Sequence, residues 1–130
     1  MKKPVFLGLD EVMAIHSDQV NRYGGHPGIR DIELLKSAIA MPAACFGGDY
    51  LHTDIYEMAA AYLFHIIRNH PFVDGNKRTG AVVAVVFLMI NGIELHASEV
   101  SFEKMVRSVA EGKMDKTEAA EFFRRHVQGR

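Results

Sequence analysis

One short segment of the chain gathers the residue types that phosphate chemistry requires. It runs over residues 70–80 as HPFVDGNKRTG and precedes an apolar run. His70 could take a proton from a hydroxyl at cellular pH, and Asp74 could bind Mg²⁺ together with phosphate oxygens. Lys77 and Arg78 follow a glycine turn, where their charges would add to the partial positive charge of a helix N-terminus. The segment therefore predicts a site that handles a phosphate group.

A long helix is predicted immediately before this segment. Apolar residues recur at helical spacing from Ile55 to about Asn69, and Pro71 would end the helix because it restricts the residue before it. Asp54 and Glu57 have the spacing of a capping box at the other end. The end of this helix would therefore place His70 at the start of the predicted site.

The apolar run after the segment, residues 79–91, is rich in valine. Periodicity cannot separate a buried strand from a buried helix in an all-apolar run, but its length and the Asn91-Gly92 pair at its end favour a helix. The run is shorter than the roughly 20 residues that a membrane-spanning helix needs. We predict a central helix that is buried on all sides.

Four further helices follow from apolar spacing and from capping residues. The least helical region, residues 43–52, is interpreted as a loop or short flap. The sequence thus predicts an all-α fold, with six helices and one flap in a single domain over residues 1–130. The four helices run from Asp10 to Tyr23, from Asp31 to before Pro42, from Ser98 to Gly112, and from Asp115 through Val127.

Composition narrows the function classes. A formal net charge of −1 argues against a sequence-independent nucleic-acid binder, which normally carries a basic excess. The single cysteine, Cys45, cannot form an intrachain disulfide and suits a reducing compartment. Lys2 and Lys3 precede a short apolar stretch, but Asp10 and Glu11 end it too early for a signal peptide. We expect a cytoplasmic protein without a membrane or direct nucleic-acid partner.

The segment HPFVDGNKR resembles the signature of the Fic/Doc family, HxFx(D/E)GNxR. The resemblance extends from near the first helix to the end of the chain, because four other short motifs are similar to the Doc (death on curing) branch. The family signature falls between two helices, as it does here. The four motifs outside the signature are Tyr23-Gly24-Gly25, Gly28-Ile29-Arg30-Asp31, Phe46-Gly47-Gly48 and Asn91-Gly92.

Two departures from the Fic subclass favour the Doc branch. Fic enzymes that transfer AMP have a glycine after the asparagine and a second arginine three residues after the first, where this chain has Lys77 and Ala81. Doc proteins are toxins that bind ATP in a reversed sense and transfer its γ-phosphate to a threonine of elongation factor Tu. The resemblance therefore implies a toxin-antitoxin kinase, with transfer of AMP or another phosphate-containing group, or a non-catalytic binding module, as alternatives.

When the family's residue roles are assigned to the matching positions of this sequence, the resemblance implies one role for each residue of the motif. His70 would be the general base and Asp74 the Mg²⁺ ligand, with ATP as the substrate. A phosphate cradle would comprise Gly75, Asn76, Lys77 and Arg78. The partners would be elongation factor Tu and a cognate antitoxin. Inhibition in trans is expected because residues 108–112, SVAEG, miss the (S/T)xxxE(G/N) pattern of inhibitory helices by one position.

Several residues admit more than one interpretation. Arg30 either reaches the site or pairs with a carboxylate to hold two helices, and we favour the pair. Phe72 is expected to anchor the motif in the core. A zinc site of His65, His70 and Asp74 is an alternative that matches no standard zinc spacing. The flap is either a docking edge for the target or a connector. Solvated or locally bonded side chains are expected for most of the other histidines, His16, His26, His52, His96 and His126.

Overall fold

The computed structural model describes residues 3–127, and nearly all of its regular structure is helical, which confirms the predicted all-α fold. A 3₁₀ turn at Met41–Ala43 and two strands, β1 (Cys45–Phe46) and β2 (Asp49–Tyr50), separate the second helix from the third. The ends of the predicted domain, residues 1–2 and 128–130, lie outside the described residues. The six helices are α1 (Leu9–Tyr23), α2 (Ile32–Ala40), α3 (Ile55–Asn69), α4 (Asn76–Ile90), α5 (Glu99–Ala110) and α6 (Lys116–Arg125).

Helix α3 forms the centre of the core and packs against α2, α4, α5 and α6. Its apolar face is fully buried at Tyr62, Leu63 and Ile66, as the spacing predicts. The Asp54 carboxylate caps the helix by accepting the Glu57 N–H at 2.8 Å. The predicted reciprocal bond is absent, because the Glu57 carboxylate bonds instead to the N–H and hydroxyl of Thr53.

Helix α4 begins at Asn76, three residues earlier than the predicted start at Thr79. Gly75, in the left-handed region at φ 79° and ψ 19°, turns the chain directly into the helix. Asn76, Lys77 and Arg78 therefore occupy its first turn, where main-chain N–H groups have no intrahelical acceptor. This placement brings the charged part of the motif to a helix N-terminus.

The prediction that α4 is buried on all sides is wrong. Pairs of buried residues recur along one face of the helix, while Met89 and Ile90 are exposed. That face packs on α1 and α3, and a Cβ at Gly80 would be in van der Waals contact with the Leu63 carbonyl oxygen, at 3.4 Å. Since every side of the run is apolar, its sequence could not show which side meets the core. The buried pairs are Thr79-Gly80, Val83-Ala84 and Phe87-Leu88.

The segment before α1 lies across α3 and α4. The Tyr62 hydroxyl accepts the Leu7 N–H at 2.8 Å and donates to the Leu7 carbonyl at 2.9 Å. The Asn91 side chain makes the same pair of bonds to Val5, at 2.8 and 2.9 Å. Burial raises the pKa of Tyr62 to about 12. Two side chains thus fasten the N-terminal segment to the helices that flank the motif.

The flap is a minimal β-hairpin. Its strands pair Cys45 with Tyr50 and Phe46 with Asp49, and the turn between them has positive φ at Gly47 and Gly48. Phe46 is 84% exposed at the tip. The predicted flap is confirmed as an element, and its use for docking stays a prediction.

The last helix ends earlier than the sequence predicts, at Arg125. Val127 lies beyond the end of α6 and forms a bridge with Leu95, so its predicted place in the last helix is wrong. Among residues 3–127, no helix combines the length and apolarity that crossing a membrane requires.

Candidate functional site

A pocket of about 720 Å³ lies between the motif loop (residues 70–75), the first turn of α4 and one face of α5. All the residues that the sequence places in the phosphate site line this one pocket. The structure therefore brings the predicted residues together, as the motif requires. They are His70, Asp74, Gly75, Asn76, Lys77 and Arg78.

His70 sits at the end of α3 in an unusual backbone conformation. Its φ of 49° and ψ of 53° are left-handed, and it is the only non-glycine residue in the described range with a positive φ. A residue with a Cβ pays roughly 1–2 kcal/mol for this conformation. The His70 side chain is exposed and borders the pocket. Contacts from elsewhere in the fold must therefore hold the chain in this turn.

Arg30 supplies two of these contacts. Its Nε donates to the His70 carbonyl oxygen at 2.6 Å, and its Nη2 donates to the Asn69 carbonyl oxygen at 3.0 Å. The predicted ion pair with a carboxylate is wrong, since Arg30 instead bonds to main-chain carbonyls at the C-terminus of α3. A cation is favourable there because the helix dipole leaves partial negative charge on those oxygens.

The main chain around Arg30 also binds the motif loop. The N–H groups of Arg30 and Asp31 donate to the Pro71 carbonyl at 2.7 and 3.0 Å, and the Val73 N–H donates to the Gly28 carbonyl at 3.1 Å. Ile29 and Phe72 form an antiparallel bridge between them. The Gly28–Asp31 motif is therefore a short backbone clamp on the loop.

The Asn76 side chain, at the start of α4, also binds the motif loop. Its Oδ1 accepts the Phe72 N–H at 2.9 Å, and its Nδ2 donates to the Phe72 carbonyl at 3.0 Å. Phe72 is fully buried, which confirms its predicted anchoring role. Because both polar atoms of the Asn76 side chain bind Phe72, the contribution of Asn76 to a phosphate cradle would come from its main-chain N–H.

His16 is a site-supporting residue that the sequence interpretation missed. It is 4% exposed, its ring stacks on Phe72 at 3.8 Å between centroids, and its Nε2 donates to the Asp74 carbonyl oxygen at 2.8 Å. Its position was visible in the sequence, four residues after Val12 and three before Gln19 on one face of α1. All three side chains are buried.

Asp74 is held by main-chain donors on both carboxylate oxygens. Gly75 N–H bonds to Oδ1 at 2.8 Å and His26 N–H bonds to Oδ2 at 3.2 Å. These bonds, from His26 first and Gly75 second, lower the pKa of Asp74, and the charge of Arg78 lowers it further. A Cβ on Gly25 would lie 2.8 Å from Oδ2, so this glycine leaves room for the carboxylate. The exposed carboxylate is therefore ionised at neutral pH.

The two cations of the first turn of α4 differ in their surroundings. Lys77 is exposed at the pocket. Arg78 Nη1 lies 3.3 Å from the Gly24 carbonyl oxygen and 3.5 Å from that of Gln19, and its Cζ lies 5.3 Å from the Tyr23 ring centroid. Arg78 thus joins α4 to the end of α1 while its charge remains beside Asp74.

The opposite wall of the pocket comes from α5, for which the sequence predicts a helix but no part in the site. Phe102 and Val106 provide an apolar surface, and Glu99, Glu103 and Arg107 provide charged groups. Glu103 and Arg107 pair one turn apart. The pocket is therefore cationic at the start of α4, and apolar with charged groups of both signs along α5.

Comparison with known proteins assigns the chain to a family. A model of the Fic/DOC family matches residues 6–88. The protein kinase doc of Escherichia phage P1 is 33% identical over 116 residues, which cover 89% of this chain and 90% of that protein. The chain belongs to the Fic/DOC family. Toxin Doc of Mycolicibacterium smegmatis is 44% identical over 75 residues, which cover 58% of each chain. These relatives place this Fic/DOC chain in the Doc toxin branch.

The alternative zinc site receives no support in this Fic/DOC fold. Within residues 3–127, no group of three or more histidine, cysteine, aspartate or glutamate side chains could hold a metal ion. His65 Nε2 instead accepts a hydrogen bond from Lys116 Nζ at 3.0 Å. This bond engages one ring nitrogen of His65, and the alternative of a zinc site of His65, His70 and Asp74 is not supported among the described residues.

The half-buried His65 predicts that folding is sensitive to acid. Burial, and then the charge of Lys116, lower its pKa from 6.5 to about 4. In the unfolded chain His65 would bind a proton below about pH 6.5, whereas the folded protein resists protonation until about pH 4. We expect the free energy of unfolding to fall as the pH is lowered through this range. Urea denaturation at about pH 7.5 and about pH 5 measures it.

His65→Gln is the control, because glutamine keeps an acceptor for Lys116 without titrating. The variant should lose less stability than the wild type over the same interval. Equal losses in the two proteins would show that His65 is not responsible for the acid sensitivity.

Proposed function

We propose that this chain is the toxin of a toxin-antitoxin pair and that it transfers the γ-phosphate of Mg-ATP to a threonine hydroxyl of elongation factor Tu. One observation carries the proposal: a histidine, an ionised carboxylate and a cationic helix N-terminus share a single pocket. The names of the two relatives, toxin Doc and protein kinase doc, support the toxin and kinase parts. The pocket's volume of about 720 Å³ lies in the range of roughly 300–1,000 Å³ typical of ligand sites.

Phosphoryl transfer requires the protein mainly to position the reactants and to stabilise negative charge on the phosphate. An imidazole nitrogen of His70 takes the proton as the threonine oxygen bonds to the γ-phosphorus, and the bond from that phosphorus to the β–γ bridging oxygen breaks to release ADP. The main-chain N–H groups of Asn76, Lys77 and Arg78, with the two side-chain charges, stabilise the negative charge on the phosphate oxygens.

The carboxylate of Asp74 fits a magnesium ion that arrives with ATP. It is ionised and exposed, and the two N–H groups that hold it leave further lone pairs on both oxygens. Magnesium is commonly bound by one or two carboxylates together with substrate phosphates. Asp74 would hold the ion, and the ion would supply positive charge to the phosphates when bound.

Ala81 supports transfer of the γ-phosphate over transfer of AMP. It lines the pocket one turn beyond Arg78, at the position of the second arginine in AMP-transferring Fic enzymes. A methyl group there offers no charge to hold an α-phosphate facing the target. The apolar wall of Phe102 and Val106 lines the same pocket and offers a surface for the nucleoside.

An antitoxin in trans completes the proposal. The name toxin Doc supports a cognate antitoxin, and residues 108–112 miss the pattern of an intramolecular inhibitory helix by one position. Those residues lie at the end of α5, next to the wall formed by Val106 and Arg107.

Labelling with ATP tests the reaction. The purified chain is incubated with elongation factor Tu, Mg²⁺, and ATP that is radioactive at either the γ or the α phosphorus. Label from the γ position alone supports the kinase, and label from the α position alone supports transfer of AMP. Label from neither position, with ATP still binding, supports a non-catalytic binding module. A parallel reaction in a cell extract, followed by identification of the labelled protein, tests whether elongation factor Tu is the target.

A further inference from the structure

We infer that Arg30 is a positioning residue for the base of the transfer reaction, an inference that rests on the proposed function. Arg30 holds the peptide of His70 in its left-handed turn and thereby fixes where the imidazole stands at the pocket. No part of this role requires Arg30 to touch ATP or the target.

The contacts of Arg30 are specific to the end of α3. Nε and Nη2 donate to two successive carbonyl oxygens, those of His70 at 2.6 Å and Asn69 at 3.0 Å. A planar guanidinium can bond to both oxygens at once, whereas an ammonium acts from a single point. The peptide that carries the bonded His70 oxygen joins His70 to Pro71, so its orientation is coupled to the ψ angle of His70.

The side chain of Arg30 is separable from the rest of the clamp on the motif loop. The bonds to Pro71 and the bond from Val73 to Gly28 are all made by main-chain atoms. They remain available when the Arg30 side chain is shortened. Arg30 is also exposed, so its removal opens no cavity in the core. Loss of the guanidinium should therefore leave the loop attached and release the turn at His70 alone.

The phosphate cradle is independent of Arg30. It is built on the first turn of α4 and fixed by the bonds between Asn76 and Phe72. A change that acts through Arg30 should therefore lower kcat and leave the KM for ATP nearly unchanged. This separation distinguishes a positioning role from general loosening of the site.

The test compares Arg30→Ala and Arg30→Lys with Arg125→Ala, which removes an exposed arginine on α6 that pairs with Glu121. We expect kcat for labelling of the target to fall about 10²-fold in Arg30→Ala, because a small misplacement of a reacting group can cost that much. Arg30→Lys should recover only part of the rate. Arg125→Ala should keep the wild-type rate. Added guanidinium ion should raise the rate of Arg30→Ala and leave that of Arg125→Ala unchanged. Unchanged kcat in Arg30→Ala, or an increase in the KM for ATP alone, would overturn the inference.

A second measurement needs no target protein. The NMR signals of the His70 amide and imidazole should shift in Arg30→Ala and return towards the wild-type positions with guanidinium, while the Lys77 amide stays in place. If the wild type transfers no phosphate but these shifts occur, the proposed function fails and the positioning role stands. Signals of His70 that are identical in the two proteins would contradict the positioning role whatever the activity.

Discussion

Replacing His70 with asparagine should slow phosphate transfer by about 10²–10⁴-fold, the usual contribution of a general base. Asparagine cannot accept the proton, but it tolerates the left-handed backbone that this position requires. The loop and the cradle on α4 should therefore keep their structure, and ATP should bind as before. Single-turnover labelling with ATP that is radioactive at the γ position measures the rate, and calorimetry measures the binding.

His96→Asn is the matched control for this experiment. His96 is an exposed histidine that pairs with Glu94 and does not line the pocket, so the same substitution there should leave transfer unchanged. A His70→Asn protein that transferred phosphate at the wild-type rate would remove His70 from the mechanism. A protein that lost ATP binding along with transfer would show that His70 acts on the nucleotide rather than on the hydroxyl.

Replacing Asn76 with alanine should lower the free energy of unfolding by about 2–4 kcal/mol. The N–H and carbonyl groups of Phe72 are buried and both bond to the Asn76 side chain, so alanine would leave two buried polar groups without these partners. Urea denaturation measures the loss. Transfer should also fall under conditions where the variant remains folded, because the motif loop loses its attachment to α4.

Asn91→Ala provides a close comparison within the same chain. Asn91 makes the same pair of bonds to the N–H and carbonyl of one residue, Val5, but these bonds are exposed and water can replace them. Its Nδ2 also donates to the Phe87 carbonyl at 2.8 Å, within the same helix. We expect that loss to be about 1 kcal/mol. If the two variants lost equal free energy of unfolding, the loss in Asn76→Ala could not be attributed to the burial of the Phe72 N–H and carbonyl groups.

Support for the motif loop comes from parts of the chain that are distant in sequence. His16 of α1 reaches it from one side, and the segment of residues 28–31 binds it along the main chain. Arg78 extends from α4 back to the end of α1. The candidate site is therefore built on packed helices although its residues lie at helix ends and in a loop. Such support keeps side chains in a fixed geometry.

Helix boundaries could be predicted where they depend on neighbouring residues. Asp54, Ser98 and Asp115 each accept a hydrogen bond from the main chain three residues later, as their spacing predicts. The end of α3 before Pro71 follows from an equally local rule, the restriction that a proline places on the residue before it. Those rules failed at the start of α4, because the left-handed turn at Gly75 begins that helix inside the motif.

The residues of the candidate site could be identified from the sequence, because one segment carries His70, Asp74, Lys77 and Arg78 together with the glycine turn. Only the tertiary structure decided what holds that segment: Arg30 on the carbonyls of α3, His16 beneath Phe72, and the wall of α5 across the pocket. Capping and turn preferences act over three or four residues, so they can be seen in the order of the amino acids. Hydrogen bonds and pocket walls formed between distant segments depend on how the helices pack, and an all-apolar helix such as α4 does not reveal which of its sides the core will cover.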